Sequence, residues 1–107
     1  MELGDLIVPE AVIPTLAAKS KKQVLQELAE QAAELTGLGA RGIFETLLQR
    51  ERVGSTAVGR GIAIPHGQVA GLQRILSVFA RLQPAIDFEA PDEEPVDLVF
   101  LLSLIHI

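Results

Sequence analysis

Between Gly54 and Gly67 the chain gathers four glycines, the hydroxyls of Ser55 and Thr56, the guanidinium of Arg60 and the imidazole of His66. Glycines at 54, 59, 61 and 67 permit close backbone approach, so several N–H groups of this stretch are expected to converge on an anion as a nest. An oxyanion is the ligand that such a loop suits. His66 ends the apolar run Ile62 to Pro65, in which Pro65 fixes its own φ and biases Ile64 towards extended backbone. The ring is therefore expected on a rigid edge.

A neutral imidazole has one nitrogen free to attack and another free to be held by a backbone acceptor, which makes it a competent nucleophile once oriented. When the electrophile is a phosphoryl group, the transition state is loose, and the protein mainly aligns the donor and spreads charge. No separate base is needed. The lack of a Ser-His-Asp or Cys-His set argues against hydrolysis by Ser55 or Thr56 but not against phosphohistidine chemistry. A phosphoryl group on His66 needs donors. Arg50 offers a charge-assisted fork, Ser55 and Thr56 offer hydroxyls, and Gly59 lies in the loop whose N–H groups would complete the set. Each has a plainer reading beside it. His66 would also serve as a strand-end ring bonded to a carbonyl, Arg50 as a helix-end cation, and Ser55 and Thr56 as turn hydroxyls. Arg60 is a candidate partner contact. The stretch is not a Walker loop, because no Gly-Lys-Ser/Thr follows its glycines.

These residues need elements to position them. Ser20 followed by Gln23 has capping-box spacing, and Val24, Leu25, Leu28, Ala32 and Leu35 recur on one helical face until Gly37, which predicts a helix from Lys21 to Thr36. A second helix carries Ile43, Phe44, Leu47 and Leu48 inward and ends at Gly54, with Arg50 and Arg52 in its last turn. Upstream, Pro9 and Pro14 break the apolar clusters into a short turn or helix and a short edge strand. Downstream, residues 68–73 read as a loop, and Arg74 to Leu82 as a strand apolar on both faces, hence central. Ile86 and Phe88 precede an acidic turn at Pro91 to Glu94, and Val96 to Leu102 is a further core strand. Helices interspersed with strands give an α/β layer architecture in a single domain spanning residues 1–107. The tail from Ser103 to Ile107 carries no stop signal and is expected to be non-native, with the chain truncated after a core strand.

Composition narrows the function. A chain of 107 residues with 49% hydrophobic and 21% charged residues has room for one core. Its net charge of −5 and lack of a basic run argue against nucleic acid as a partner. Without cysteine, and with its two histidines forty residues apart, it offers no metal motif, and no cofactor is expected. No apolar run approaches the roughly 18 residues of a membrane span, and no signal peptide opens the chain, so a cytoplasmic address without membrane insertion is expected.

Arg50 and Glu51, Gly54 to Thr56, Gly59, and the run Gly61 to Gly67 together resemble the signature of the type-2 enzyme IIA domain of the bacterial phosphotransferase system. The Gly-Ser-Thr after the Arg-Glu pair and the strand at Pro95 to Leu98 resemble its nitrogen-regulatory (PtsN-like) branch most. The resemblance runs from the Lys21 helix through Leu102, about the first two-thirds of a usual family domain. It implies a mixed sheet sandwiched by helices, as in mannitol-type enzyme IIA. It further implies a phosphotransferase component, a cytoplasmic phosphocarrier whose histidine, here His66, takes phosphate from an HPr-like protein, with Arg50 in support. In the sugar branch the phosphate passes on to enzyme IIB. In the nitrogen branch, phosphorylation state instead tunes binding to regulatory targets, including potassium-transport proteins. A non-catalytic regulatory binding module is the alternative. The family's second histidine has no match, because His106 falls too early and in the unmatched tail.

Overall fold

A computed structural model describes residues 12–37, 39–68 and 76–104. The elements, in chain order, are β1 (Val12–Leu16), α1 (Lys21–Thr36), α2 (Ala40–Val53), β2 (Ala57–Gly59), β3 (Ile62–Ala63), β4 (His66–Gln68), β5 (Leu76–Ile86) and β6 (Val96–Leu104). The strands form one mixed sheet in the order β1-β5-β6-β3-β2, with β4 also paired to β6. The pairs β1/β5, β3/β6 and β4/β6 are parallel, whereas β5/β6 and β2/β3 are antiparallel.

α1 has the predicted bounds for the predicted reason. Ser20 adopts extended backbone and its Oγ accepts the Gln23 N–H at 3.1 Å, while Gln23 Oε1 accepts the Lys19 N–H at 2.8 Å. At the other end the Gly37 N–H donates to the Ala33 carbonyl at 2.8 Å. Val24, Leu25, Leu28, Ala29 and Ala32 form its buried stripe. Ile43 and Leu47 of α2 join the same core. α2 has no side-chain cap at Gly39, yet begins at Ala40, three residues ahead of its first apolar anchor. Packing against α1 compensates for the poor start.

Register fixes the sheet faces. Phe79 pairs with Phe100, Ala80 with Val99 and Val78 with Leu101, so Val78, Ala80, Val99 and Leu101 share the face that meets the helix core. On the other face the rings of Phe79 and Phe100 meet edge to face at 6.3 Å. Among the described residues β1 pairs with β5 alone, as expected of an edge strand, and β5 is central, between β1 and β6. β5 runs to Ile86, four residues past its expected end, despite Pro84. The ladder with β6 skips from Arg81 to Ile86, and a residue without an N–H is tolerated in that gap. β6 likewise extends through Ser103 and Leu104. The expected turn or helix before Val12, most of the expected loop at 68–73, and His106 lie outside the described residues.

The stretch expected to be one open loop contains a hairpin. β2 and β3 are joined by a turn in which Gly59, Arg60 and Gly61 have φ of 100°, 57° and 79°. The φ of 79° favours glycine at position 61, where a Cβ would also press within 2.8 Å of the side-chain Oδ1 of Asp97. The strands are too short for alternation to reveal them in sequence. The turn is clipped to the β5–β6 connection, where Asp92 Oδ2 accepts the Arg60 N–H at 2.8 Å and its Oδ1 accepts the Glu94 N–H at 3.1 Å. In the same connection Phe88 is fully buried.

β3 and β4 are two pieces of one lane beside β6. Ile62 pairs with Leu98 and Ala63 with Val99, and after a break at Ile64 and Pro65 the same offset resumes with His66 opposite Leu102. Pro65 cannot donate to a ladder, and it is fully buried. In the break, Ile64 N–H turns to the Thr56 carbonyl at 3.0 Å.

Two outcomes follow from these contacts. Phe88 is the largest of the fully buried side chains, and Phe88→Ala should lower the unfolding free energy in a urea titration by about 3–5 kcal/mol. The N–H groups of Arg60 and Glu94 hold the Asp92 carboxyl below its ordinary value of 3.8. Its folded value is thus depressed, so its contribution is present above pH 3.8 and is lost as the pH falls through the lower folded value. Hydrogen-exchange protection of the Arg60 amide should decline over that acid range, and Asp92→Asn should flatten the decline.

Candidate functional site

The last turn of α2, the residues that follow it and the start of β4 meet at His66. The half-buried ring uses both nitrogens. Nδ1 lies 2.9 Å from the Ile64 carbonyl oxygen, and the Arg50 Nε–H points at Nε2 from 3.1 Å. A carbonyl only accepts and a guanidinium only donates, so Nδ1 carries the proton and Nε2 the lone pair. The contacts therefore assign the neutral Nδ1–H tautomer. Arg50 is itself anchored by Nη1–H, which donates to the Gly54 carbonyl at 2.8 Å. Its position four residues before Gly54 lets one guanidinium cap the helix end and reach the ring together.

Nε2 is the nucleophilic atom of this geometry, and a guanidinium covers it. For the lone pair to reach an electrophile, Arg50 must yield that contact. Its N–H groups are then beside whatever oxygens the electrophile carries.

Of the five residues expected at the site, the structure brings His66 and Arg50 into direct contact. The other three are engaged elsewhere. Ser55 Oγ–H donates to the Phe88 carbonyl at 2.6 Å and Oγ accepts the Ala57 N–H at 3.1 Å. Thr56 is buried, and its hydroxyl and N–H both bond the Glu51 carboxylate. Gly59 lies in the hairpin turn, where the next N–H goes to Asp92. The hydroxyls of Ser55 and Thr56 thus have protein partners, and the residues from Gly54 to Gly61 form a strand and a turn rather than a single anion nest. Ser55 and Thr56 instead tie the approach to His66 onto the β5–β6 connection and α2.

Three contributors were not among the expected site residues. Glu51 Oε2 pairs with Lys21 Nζ at 2.7 Å, with side chains only 4% and 18% exposed. The same ammonium lies 5.2 Å from the centre of the Phe88 ring. The signal was in the sequence. Glu51 falls on the stripe of Ile43 and Leu47, and Lys21 on that of Leu25 and Leu28, so each apolar face carries one charge of opposite sign. Among the described residues no group of acidic or histidine side chains could hold a metal ion, and no helix is long and apolar enough to cross a membrane.

Comparison with known proteins places this geometry in a family. Residues 5–106 match the family described as the phosphoenolpyruvate-dependent sugar phosphotransferase system, EIIA 2. The chain is 60% identical over 102 residues to a nitrogen regulatory protein of Bradyrhizobium diazoefficiens, covering 95% of this chain and 67% of that protein. It superposes on the crystal structure of nitrogen regulatory protein IIA-Ntr from Neisseria meningitidis with a TM-score of 0.92 at 32% identity, over 98% of this chain and 72% of that one. A complex of mannitol enzyme IIA with phosphorylated mannitol enzyme IIB from Escherichia coli shares the fold at a TM-score of 0.76 and 20% identity, covering 90% of this chain and 68% of that one. The chain spans 63% to 67% of the length of the nitrogen regulatory proteins it matches in Bradyrhizobium, Klebsiella, Pseudomonas, Shigella and Escherichia. With an α/β mixed sheet, a matching family model over nearly its whole length and these relatives, the chain belongs to the EIIA type-2 family of the phosphotransferase system, beside its nitrogen regulatory proteins.

Proposed function

We propose that this protein is a phosphocarrier that accepts a phosphoryl group on Nε2 of His66. The observation that supports this reading is the pair of ring contacts, which leaves the lone pair on Nε2 and sets a guanidinium beside it. In the transfer, the Nε2 lone pair forms the new N–P bond while the bond from phosphorus to the donor's leaving atom breaks, its electron pair departing with that atom. The proton stays on Nδ1 throughout, donated to the Ile64 carbonyl. Arg50 moves from Nε2 to the phosphoryl oxygens and takes up their charge.

The donor in this reading is an HPr-like phosphocarrier acting in the cytoplasm. The relatives' name, nitrogen regulatory protein, favours a regulatory role. In this reading phosphorylation state tunes binding to regulatory targets, with potassium-transport proteins as the candidates. Onward transfer to an enzyme IIB is the sugar-transport variant of the same chemistry. A regulatory module that binds partners without phosphorylation is the second reading, and the same name favours it equally.

Incubation with a phosphorylated HPr-like donor should give an acid-labile, base-stable label on the wild type and none on His66→Ala. A fully labelled His66→Ala protein would falsify the assignment. Arg50→Ala should slow labelling by roughly 10²-fold, the scale of losing a transition-state donor, with a smaller loss for Arg50→Lys. Target binding that is identical for the wild type, His66→Ala and His66→Asp, with no labelling of any of them, would favour the binding module.

A further inference from the structure

The ring of His66 is oriented from both sides by consecutive residues of α2. Arg50 reaches Nε2 directly. Glu51 reaches the other side through a relay that starts at a buried charge pair. Glu51 accepts the Thr56 N–H at 3.2 Å and the Thr56 hydroxyl proton. The Thr56 carbonyl accepts the Ile64 N–H at 3.0 Å, and the Ile64 carbonyl accepts the Nδ1–H of His66 at 2.9 Å.

The relay matters because of where Ile64 lies. It occupies the break between β3 and β4, outside the ladder pairs that join these strands to β6 among the described residues. Its bond to Thr56 holds the carbonyl that fixes the tautomer. Thr56 in turn is held by a carboxylate that is only 4% exposed and paired with an ammonium. A buried carboxylate left without its counterion would draw water or rotate away, and the Thr56 contacts would go with it.

We propose that Glu51, neutralised by Lys21, is a positioning residue that keeps His66 in the Nδ1–H tautomer by fixing Thr56 and, through it, the Ile64 carbonyl. Where this concerns rates it rests on the phosphocarrier reading. Where it concerns the ring it does not. Glu51→Gln keeps the size of the side chain and removes its charge. The tautomer is read from the ¹⁵N shifts of the imidazole at a pH where the ring is neutral, and the phosphoryl-acceptance rate is read in parallel. Wild type should show one tautomer, protonated at Nδ1. Glu51→Gln should show a mixture and accept phosphate roughly 10- to 100-fold more slowly, the scale of a misplaced reacting group, while still melting cooperatively above the assay temperature.

Lys21→Arg, which restores a cation, should keep the wild-type tautomer and most of the rate. Leu82→Ala, a core substitution on the β1 side of the sheet and away from the relay, is the control for stability alone and should leave the ring unchanged. If Glu51→Gln does not melt cooperatively, Lys21→Gln is read in its place with the same expectation. A folded relay variant that retains the single Nδ1–H tautomer overturns the proposal, as does a Leu82→Ala protein that shows the same mixture. If instead His66→Ala takes up label normally, the phosphocarrier reading fails while the ¹⁵N result still decides the positioning role.

Discussion

His66 sits between a group that only accepts and a group that only donates. The Ile64 carbonyl accepts the Nδ1–H in a hydrogen bond, and Arg50 presents an N–H to Nε2. That opposition assigns the tautomer without any charged partner for Nδ1, and much of the surrounding structure maintains it. α2 must end where Arg50 can bond both the ring and the Gly54 carbonyl, and the lane beside β6 must break where Ile64 can turn its carbonyl back towards the ring. The hairpin and the β5–β6 connection brace these two requirements from outside, through Asp92 and through the Ser55 contact with the Phe88 carbonyl.

The braces also explain the presence of charges in the interior. Replacing a buried ion pair by apolar side chains is often neutral or stabilising, so the Lys21–Glu51 pair is a poor device for stability alone. Its geometry is nonetheless well satisfied. Glu51 receives an ammonium, an amide and a hydroxyl, and Lys21 rests against an aromatic face. Among the described residues no buried side-chain nitrogen or oxygen lacks a partner. A fully satisfied polar network of this kind specifies one arrangement of the elements it joins, here the start of α1, the end of α2 and the strand leading to the hairpin.

Much of this was legible before any coordinates. α1 followed from a cap, a stripe and a stop, each a local signal with a local cause. The two central strands followed from runs apolar on both faces. His66 and Arg50 stood out because an imidazole on a proline-fixed edge can attack and an arginine at the helix end can fork onto the charge it takes up, although each had a plainer reading beside it. The rest failed for physical reasons. β2 and β3 hold too few residues for alternation to show, and they exist because β6 and Asp92 draw them into place. Ser55 and Thr56 advertised free hydroxyls, but a hydroxyl's partner depends on which distant backbone folds beside it, and Phe88 and Glu51 were nearer than any ligand. Lys21 and Glu51 were visible as charges on apolar stripes, yet only packing of α1 on α2 shows that the two interruptions coincide.

The offset between the β3–β4 lane and β6 is the same before and after Pro65, which gives the two residues of the break an additional meaning. Successive strand residues alternate sides, so one residue more or fewer between Ala63 and His66 would turn the imidazole through the sheet and away from α2. The break thus tolerates changes of side chain far better than changes of length. Its two-residue span is a spacer whose parity, rather than whose side chains, decides on which side of the sheet the imidazole lies.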